Sequence, residues 1–168
     1  KRRKTVMFFI VLGVSGSGKS TVGRMLADRL GCPFYDGDDF HPPENRDKMS
    51  RGIPLTDEDR AGWLQALADL IRRRLQADES GVLACSALKE KYRQVLRVDP
   101  ARVRFVYLRG DYALILARMH TRRGHYMQPG MLKSQFEALE EPTDALVEDI
   151  RQSPAEIVAD ILRNFGFA

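Results

Sequence analysis

Val6-Met7-Phe8-Phe9-Ile10-Val11-Leu12, followed at once by Gly13-Val14-Ser15-Gly16-Ser17-Gly18-Lys19-Ser20, decides how the rest of this chain is read. The apolar residues run continuously instead of alternating, which is the pattern of a central parallel strand covered by helices on both faces. Behind them, Gly13 and Gly18, with four residues between them, precede Lys19 and Ser20. In that arrangement backbone N–H groups surround phosphate oxygens at a helix N-terminus. Val22, Met25, Leu26, Arg29 and Leu30 then keep helical spacing until Gly31, a helix stop. Strand, glycine loop and helix therefore come in the order a phosphate cradle needs.

The candidate nucleotide contacts are Gly13, Val14, Ser15, Gly16, Ser17, Gly18, Lys19, Ser20 and Thr21. Lys19 is expected to reach the β- and γ-phosphates as a charge, and the Ser20 hydroxyl to ligate Mg²⁺ bridging them. Phosphate binding alone leaves three classes open: a kinase, a GTPase-like switch and a non-catalytic nucleotide sensor. The chain has no Asn-Lys-x-Asp guanine-reading motif and no hydrophobic run ending in Asp.

The strand–helix rhythm continues outward from this unit. Pro33 to Asp36 reads as a short strand, and Thr56-Asp57-Glu58-Asp59 opens a long helix reaching about Ala77, acidic at its start and rich in arginine at its end. Gly81 to Ser86 is a third strand, Lys89 to Arg97 a helix, Arg104 to Leu108 a fourth strand and Tyr112 to His120 a helix. Thr121 to Gly130 is a polar, basic loop. Met131 to Leu139 regains helical spacing, Ala145 to Val147 is a last strand, and Pro154 to Phe165 a last helix. With no repeat, linker or low-complexity stretch, residues 1–168 read as one α/β domain of three layers. Its sheet is expected to be mostly parallel and five-stranded, with ligands at the strand carboxyl ends.

Composition narrows the partners. The chain has 168 residues, 43% of them apolar, enough to bury a core without disulfides or metal. Its net charge of +4 equals the contribution of Lys1-Arg2-Arg3-Lys4, so the body is neutral and a nucleic-acid footprint is not expected. Residues 1–5 read as a basic, disordered terminus. Cys32 and Cys85 lack the spacing of a zinc site or disulfide framework, and the longest apolar run is far short of the roughly 20 residues that span a bilayer. A cytoplasmic protein without a membrane partner is expected, and a homodimer stays open.

Asp36-Gly37-Asp38-Asp39 follows the second strand, so its carboxylates should project toward the phosphate loop. A kinase needs such groups: Asp36 suits holding Mg²⁺ through water, and Asp38 suits accepting the proton of an attacking hydroxyl. Asp39 reads as a bystander. A binding module would need neither, so a regulatory reading is disfavoured.

The chain also resembles the gluconokinase family, relatives in fold of shikimate and nucleoside monophosphate kinases. The resemblance rests on the phosphate loop, Asp36 through Pro42, Asn45 through Met49, Pro54 through Arg60 with Trp63-Leu64, Cys85 through Lys89 with Tyr92-Arg93, Gly124 through Met127, and Ser134 through Glu137 with Leu139 through Pro142. It implies a P-loop kinase fold with a lid at about residues 121–130, and transfer of the ATP γ-phosphate to the 6-hydroxyl of D-gluconate. A sugar acid needs cations for its carboxylate and polar partners for its hydroxyls. The matching segments offer Lys48, Arg60, Lys89 and Arg93 for the first need, and His41, Ser86, His125 and Gln135 for the second.

Arg122 resembles a lid arginine that closes over the transferring phosphate, and Arg118 could stack on adenine. Pro154, by similarity to the shikimate kinase branch, falls where the base packs. His120 and Trp63, which keeps helical spacing with Leu67 and Leu70, read as structural. Thr143 to Glu148 is a poorer apolar strand than the family pattern leads one to expect. A shikimate kinase is the second enzyme reading, disfavoured because Cys85 through Lys89 stands where that family's glycine-rich substrate turn would be.

Overall fold

The computed structural model describes residues 5–121 and 129–167. The basic start, residues 1–4, and the lid positions Arg122 and His125 lie outside the described residues. Five strands pair in parallel in the order β2-β3-β1-β4-β5. The chain runs β1 (Phe8–Leu12), α1 (Lys19–Leu30), β2 (Phe34–Asp36), a 3₁₀ turn (Gly37–Phe40), α2 (Pro43–Ser50), α3 (Asp57–Gln76), β3 (Gly81–Ala84), α4 (Glu90–Leu96), β4 (Val103–Arg109), α5 (Tyr112–Thr121), α6 (Pro129–Ala138), β5 (Leu146–Asp149) and α7 (Pro154–Asn164). Among the described residues, no helix is long and apolar enough to cross a membrane.

The continuous apolar run predicts the central position of β1, and packing explains it. Phe8 stands beside Gly81 of β3 on one side and Val103 of β4 on the other. All five β1 residues are fully buried. Strand alternation sends Phe9 and Val11 to the layer of α1 and α7, and Phe8, Ile10 and Leu12 to the layer of α3 and α4. Each side chain so buried contributes about 1.5–3 kcal/mol.

Local chemistry fixes the helix ends. Gly31 closes α1 in the left-handed conformation, φ 66°. Thr56 caps α3 reciprocally: the Asp59 amide donates to Thr56 Oγ1 at 3.1 Å and the Thr56 amide to Asp59 Oδ2 at 2.9 Å. Ser153 and Glu156 repeat the device on α7.

Two segments depart from the sequence expectation. Pro43–Ser50 forms α2, which has no apolar stripe to announce it and contributes only Asn45 to the interior. The last strand runs to Asp149 rather than stopping at Val147, in a register that leaves Val147 37% exposed and turns Glu148 inward at 2%. That inversion on an edge strand is why Thr143 to Glu148 reads poorly. Glu148 Oε2 accepts from Gln152 Nε2 at 3.4 Å, whereas Oε1 is buried without an N–H or O–H donor among the described residues. Burial, then the neighbouring Asp160 carboxylate on α7, pushes the Glu148 carboxyl up to about 7.

Candidate active site

Residues 13–18 turn sharply between β1 and α1. Gly13 has φ 154°, and a Cβ there would stand 2.9 Å from the Leu108 carbonyl oxygen and 2.8 Å from Ser17 Oγ. Gly18 sits at the α1 N-cap with φ 98° and supplies no side-chain cap. The first N–H groups of α1 are thereby left for an external acceptor, the property an anion site exploits. Lys19 curls back over the loop, its Nζ donating to the Val14 carbonyl at 3.1 Å. Burial pulls its ammonium below the ordinary lysine range, opposed by the charge of Asp38 and more weakly by Asp36.

The loop opens into a cavity of about 750 Å³ that also meets Ser20, Thr21, Asp36 and Asp38. Asp36 Oδ1 accepts from the Asp38 amide at 3.0 Å and so shapes the 3₁₀ turn. The Asp38 carboxyl is raised, first by desolvation between the cavity walls and then by the charge of Asp36, with Lys19 acting against both. A carboxylate raised in this way is a better proton acceptor than an exposed aspartate.

The opposite wall is aromatic and cationic. Trp63 of α3 donates from Nε1 to the Gly37 carbonyl at 2.7 Å, pinning the acidic turn to the helix. His41 stacks on it with centroids 4.1 Å apart and planes 13° from parallel. Arg60 NH1 donates to the Leu55 carbonyl at 2.7 Å and to Tyr92 Oη at 3.2 Å, and the Tyr92 hydroxyl donates to Asp57 Oδ1 at 2.6 Å. Arg60 and Lys89 lie 5.3 and 5.9 Å from the Tyr92 ring centroid. Ser86 lines the same wall, on the turn after β3.

The expected site residues therefore divide. Asp36, Asp38, His41, Arg60, Ser86, Lys89 and Gln135 meet one cavity together with Ser15, Gly16, Gly18, Lys19, Ser20 and Thr21. Gln135 lines the cavity and also accepts from the Ser15 amide at 2.7 Å and donates to Ser15 Oγ at 3.0 Å, joining α6 to the phosphate loop. Arg93, expected at a ligand, is 1% exposed and does not face the cavity. It donates to the Ala87 carbonyl and the Glu140 carbonyl, both at 2.7 Å, and to Glu90 Oε2 at 3.1 Å, tying the turn after β3 to the end of α6. Lys48 is held by Asp59 at 2.8 Å, off the cavity lining.

Arg118 donates to the Ile150 carbonyl at 2.5 Å beside the β5–α7 turn that leads to Pro154, and neither lines the cavity. Sequence reasoning did not assign Trp63, Tyr92 or Asn45. Trp63 and Tyr92 are hidden because both also pack in the α3/α4 core, and Asn45 because α2 has no periodicity.

The donor set suits a divalent cation held jointly with a nucleotide. Ser20 and two carboxylates share the cavity with an uncapped helix start, and the Asp38 carboxyl, raised first by desolvation and then by the charge of Asp36, would be eased by a cation beside it. Among the described residues no group of three or more His, Cys, Asp and Glu could hold a metal by itself, so phosphate and water would complete the shell.

Comparison with known proteins agrees with this geometry. The shikimate kinase family profile matches residues 15–165. The chain is 53% identical over 134 residues to a thermosensitive gluconokinase of Escherichia coli (strain K12), covering 80% of this chain and 72% of the relative. A sugar kinase structure from Janibacter sp. HTCC2649 superposes with a TM-score of 0.90 at 44% identity, covering 98% of this chain and 96% of the other. A gluconokinase structure from Sinorhizobium meliloti 1021 gives 0.84 at 44% identity, covering 99% and 98%. A phosphate loop facing an acidic turn and a cationic wall, in a chain this close to those relatives, belongs to an ATP-dependent kinase of the gluconokinase family.

Proposed function

We propose that the chain transfers the γ-phosphoryl group of ATP to the 6-hydroxyl of D-gluconate, giving 6-phospho-D-gluconate. One observation carries the reading beyond family: a single cavity joins the phosphate loop to a wall bearing Arg60 and Lys89. A sugar acid laid across it meets cations at its carboxylate end and Asp38 at its far hydroxyl.

In this mechanism the amides of residues 13–18 and the Lys19 ammonium receive the β- and γ-phosphates. The polyphosphate's negative charge opposes the burial that pulls the Lys19 ammonium down. Asp38 orients the 6-hydroxyl and takes its proton as the new P–O bond forms, while His41 and Ser86 hold other hydroxyls. Ser20, with Asp36 through water, would hold Mg²⁺, which neutralises developing charge on the phosphoryl oxygens. Arg60, braced by Leu55 and Tyr92, and Lys89 bind the carboxylate. Arg122 and His125 of the lid are assigned to closing over the phosphate and the sugar, and Arg118 with Pro154 to the base side. The cytoplasm supplies ATP and Mg²⁺, and no nucleic-acid partner is required.

A coupled assay of ATP consumption with D-gluconate, shikimate and nucleoside monophosphates tests the assignment. Turnover with gluconate alone is expected. Turnover with shikimate while gluconate stays inert would replace it by the shikimate kinase reading, and ATP binding without any product by a regulatory one.

A further inference from the structure

Asn45 lies one helical turn beyond His41, is 3% exposed, and makes two side-chain hydrogen bonds from the same atom. Its amide nitrogen stands 2.7 Å from the Asp59 backbone carbonyl oxygen. A carbonyl oxygen only accepts, so the atom facing it carries hydrogens and the orientation of the amide is fixed. The same NH₂ group stands 3.2 Å from His41 Nδ1 and has a second hydrogen to give. His41 Nδ1 is therefore the acceptor of that pair, and in a neutral imidazole the proton then resides on Nε2.

Neutrality has its own physical support. Burial, then the positive charges of Arg60 on α3 and Arg46 on α2, bring the imidazole down to about 4. The ring is held by stacking on Trp63, and its backbone by Arg46 Nε, which donates to the His41 carbonyl at 3.3 Å. Nε2 has no protein partner among the described residues, and the ring lines the acceptor cavity.

We infer that Asn45 is a positioning residue that locks His41 in the Nε2–H tautomer, making the ring a hydrogen-bond donor to the acceptor substrate and not a second base. The Asp59 carbonyl, through Asn45, thus dictates which ligand atoms the cavity accepts opposite His41: a hydroxyl or carboxylate oxygen, not an ammonium group. Work divides accordingly. Asp38 takes a proton from the acceptor, and His41 gives a hydrogen bond to it without changing protonation state. The substrate identity in this inference rests on the gluconate reading above; the tautomer does not.

The decisive experiment is long-range ¹H–¹⁵N correlation NMR of the imidazoles in the unliganded full-length protein at neutral pH, with His41 assigned by the signal lost in His41→Gln. The expected pattern is a protonated Nε2 and an unprotonated Nδ1. A proton on Nδ1, or an imidazolium, overturns the inference. In Asn45→Ala the His41 signals should shift toward a tautomer mixture, and KM for gluconate should rise about fivefold to tenfold with KM for ATP nearly unchanged, the worth of one hydrogen bond. In a His41→Gln background, where the side-chain NH₂ needs no tautomer, the Asn45→Ala effect on KM should vanish. Persistence of the full effect there would make Asn45 merely structural. The wild-type spectrum needs no substrate, so an inert gluconate assay leaves that test intact, and if His41→Gln misfolds, the signals lost in His120→Gln and in His125→Gln assign His41 by elimination.

Discussion

Glu148→Gln should stabilise the protein, and do so only as pH rises. Glu148 is turned inward on β5 against Asp160, and its carboxyl is lifted from 4.5 to about 7 in the fold. A carboxyl raised on folding binds its proton more tightly in the native than in the unfolded chain. Below 4.5 it is protonated in both states and costs nothing. Between 4.5 and about 7 the unfolded chain loses the proton while the native chain keeps it, so stability falls as pH rises; above about 7 the penalty is constant. That interval, at about 1.36 kcal/mol per pH unit, sets a ceiling of roughly 3 kcal/mol. Asp160 sits nearer solvent and is also held by Arg163 at 2.9 Å, so screening and proton sharing reduce the expected gain to about 1–2 kcal/mol. Glutamine keeps a donor for Asp160 and cannot ionise. Urea unfolding of both proteins at intervals from pH 4.5 to 8 reads the difference directly. The gap should open across that range and level off near its top. A gap that is constant with pH, or that closes as pH rises, would refute the buried-proton account.

Asp38→Asn, which keeps shape but cannot take a proton, should lower kcat by about 10²- to 10⁴-fold while calorimetry shows ATP still bound; an unchanged kcat would remove Asp38 from proton transfer. Arg93→Met should cost roughly 2–4 kcal/mol by leaving the Ala87 and Glu140 carbonyls without their donor, with KM for gluconate moving less than twofold in the folded protein. The reverse result, intact stability with a large rise in KM, would return Arg93 to the ligand.

The sheet was legible because β1 is central and buried on both faces, which demands an unbroken apolar run, and because α1, α3 and α7 carry chemical signals at their ends. The α2 helix was not legible. It is held by Pro43 at its start and by the polar anchors Asn45 and Lys48, so it owes nothing to hydrophobic periodicity. The phosphate loop and acidic turn could be read as chemistry because their function lies in local backbone geometry. The arginines could not be sorted in that way. Arg60 and Arg93 both follow motif segments, but one opens onto the cavity and the other is closed inside backbone carbonyls, a difference that only the packing of α4 against the end of α6 creates. Gln135 illustrates the same limit, since its partner Ser15 is 120 positions away.

Trp63 is the only tryptophan in the chain. It lies under His41 and against the Gly37 carbonyl, in the wall of the acceptor cavity. The intrinsic indole fluorescence of the whole protein consequently originates at one chemical location, beside the proposed sugar-acid pocket in the cavity that the phosphate loop also lines. The molecule carries its own optical reporter: emission follows events at the acceptor wall without a label, and the stacked imidazole makes that light sensitive to any ligand that displaces or engages His41.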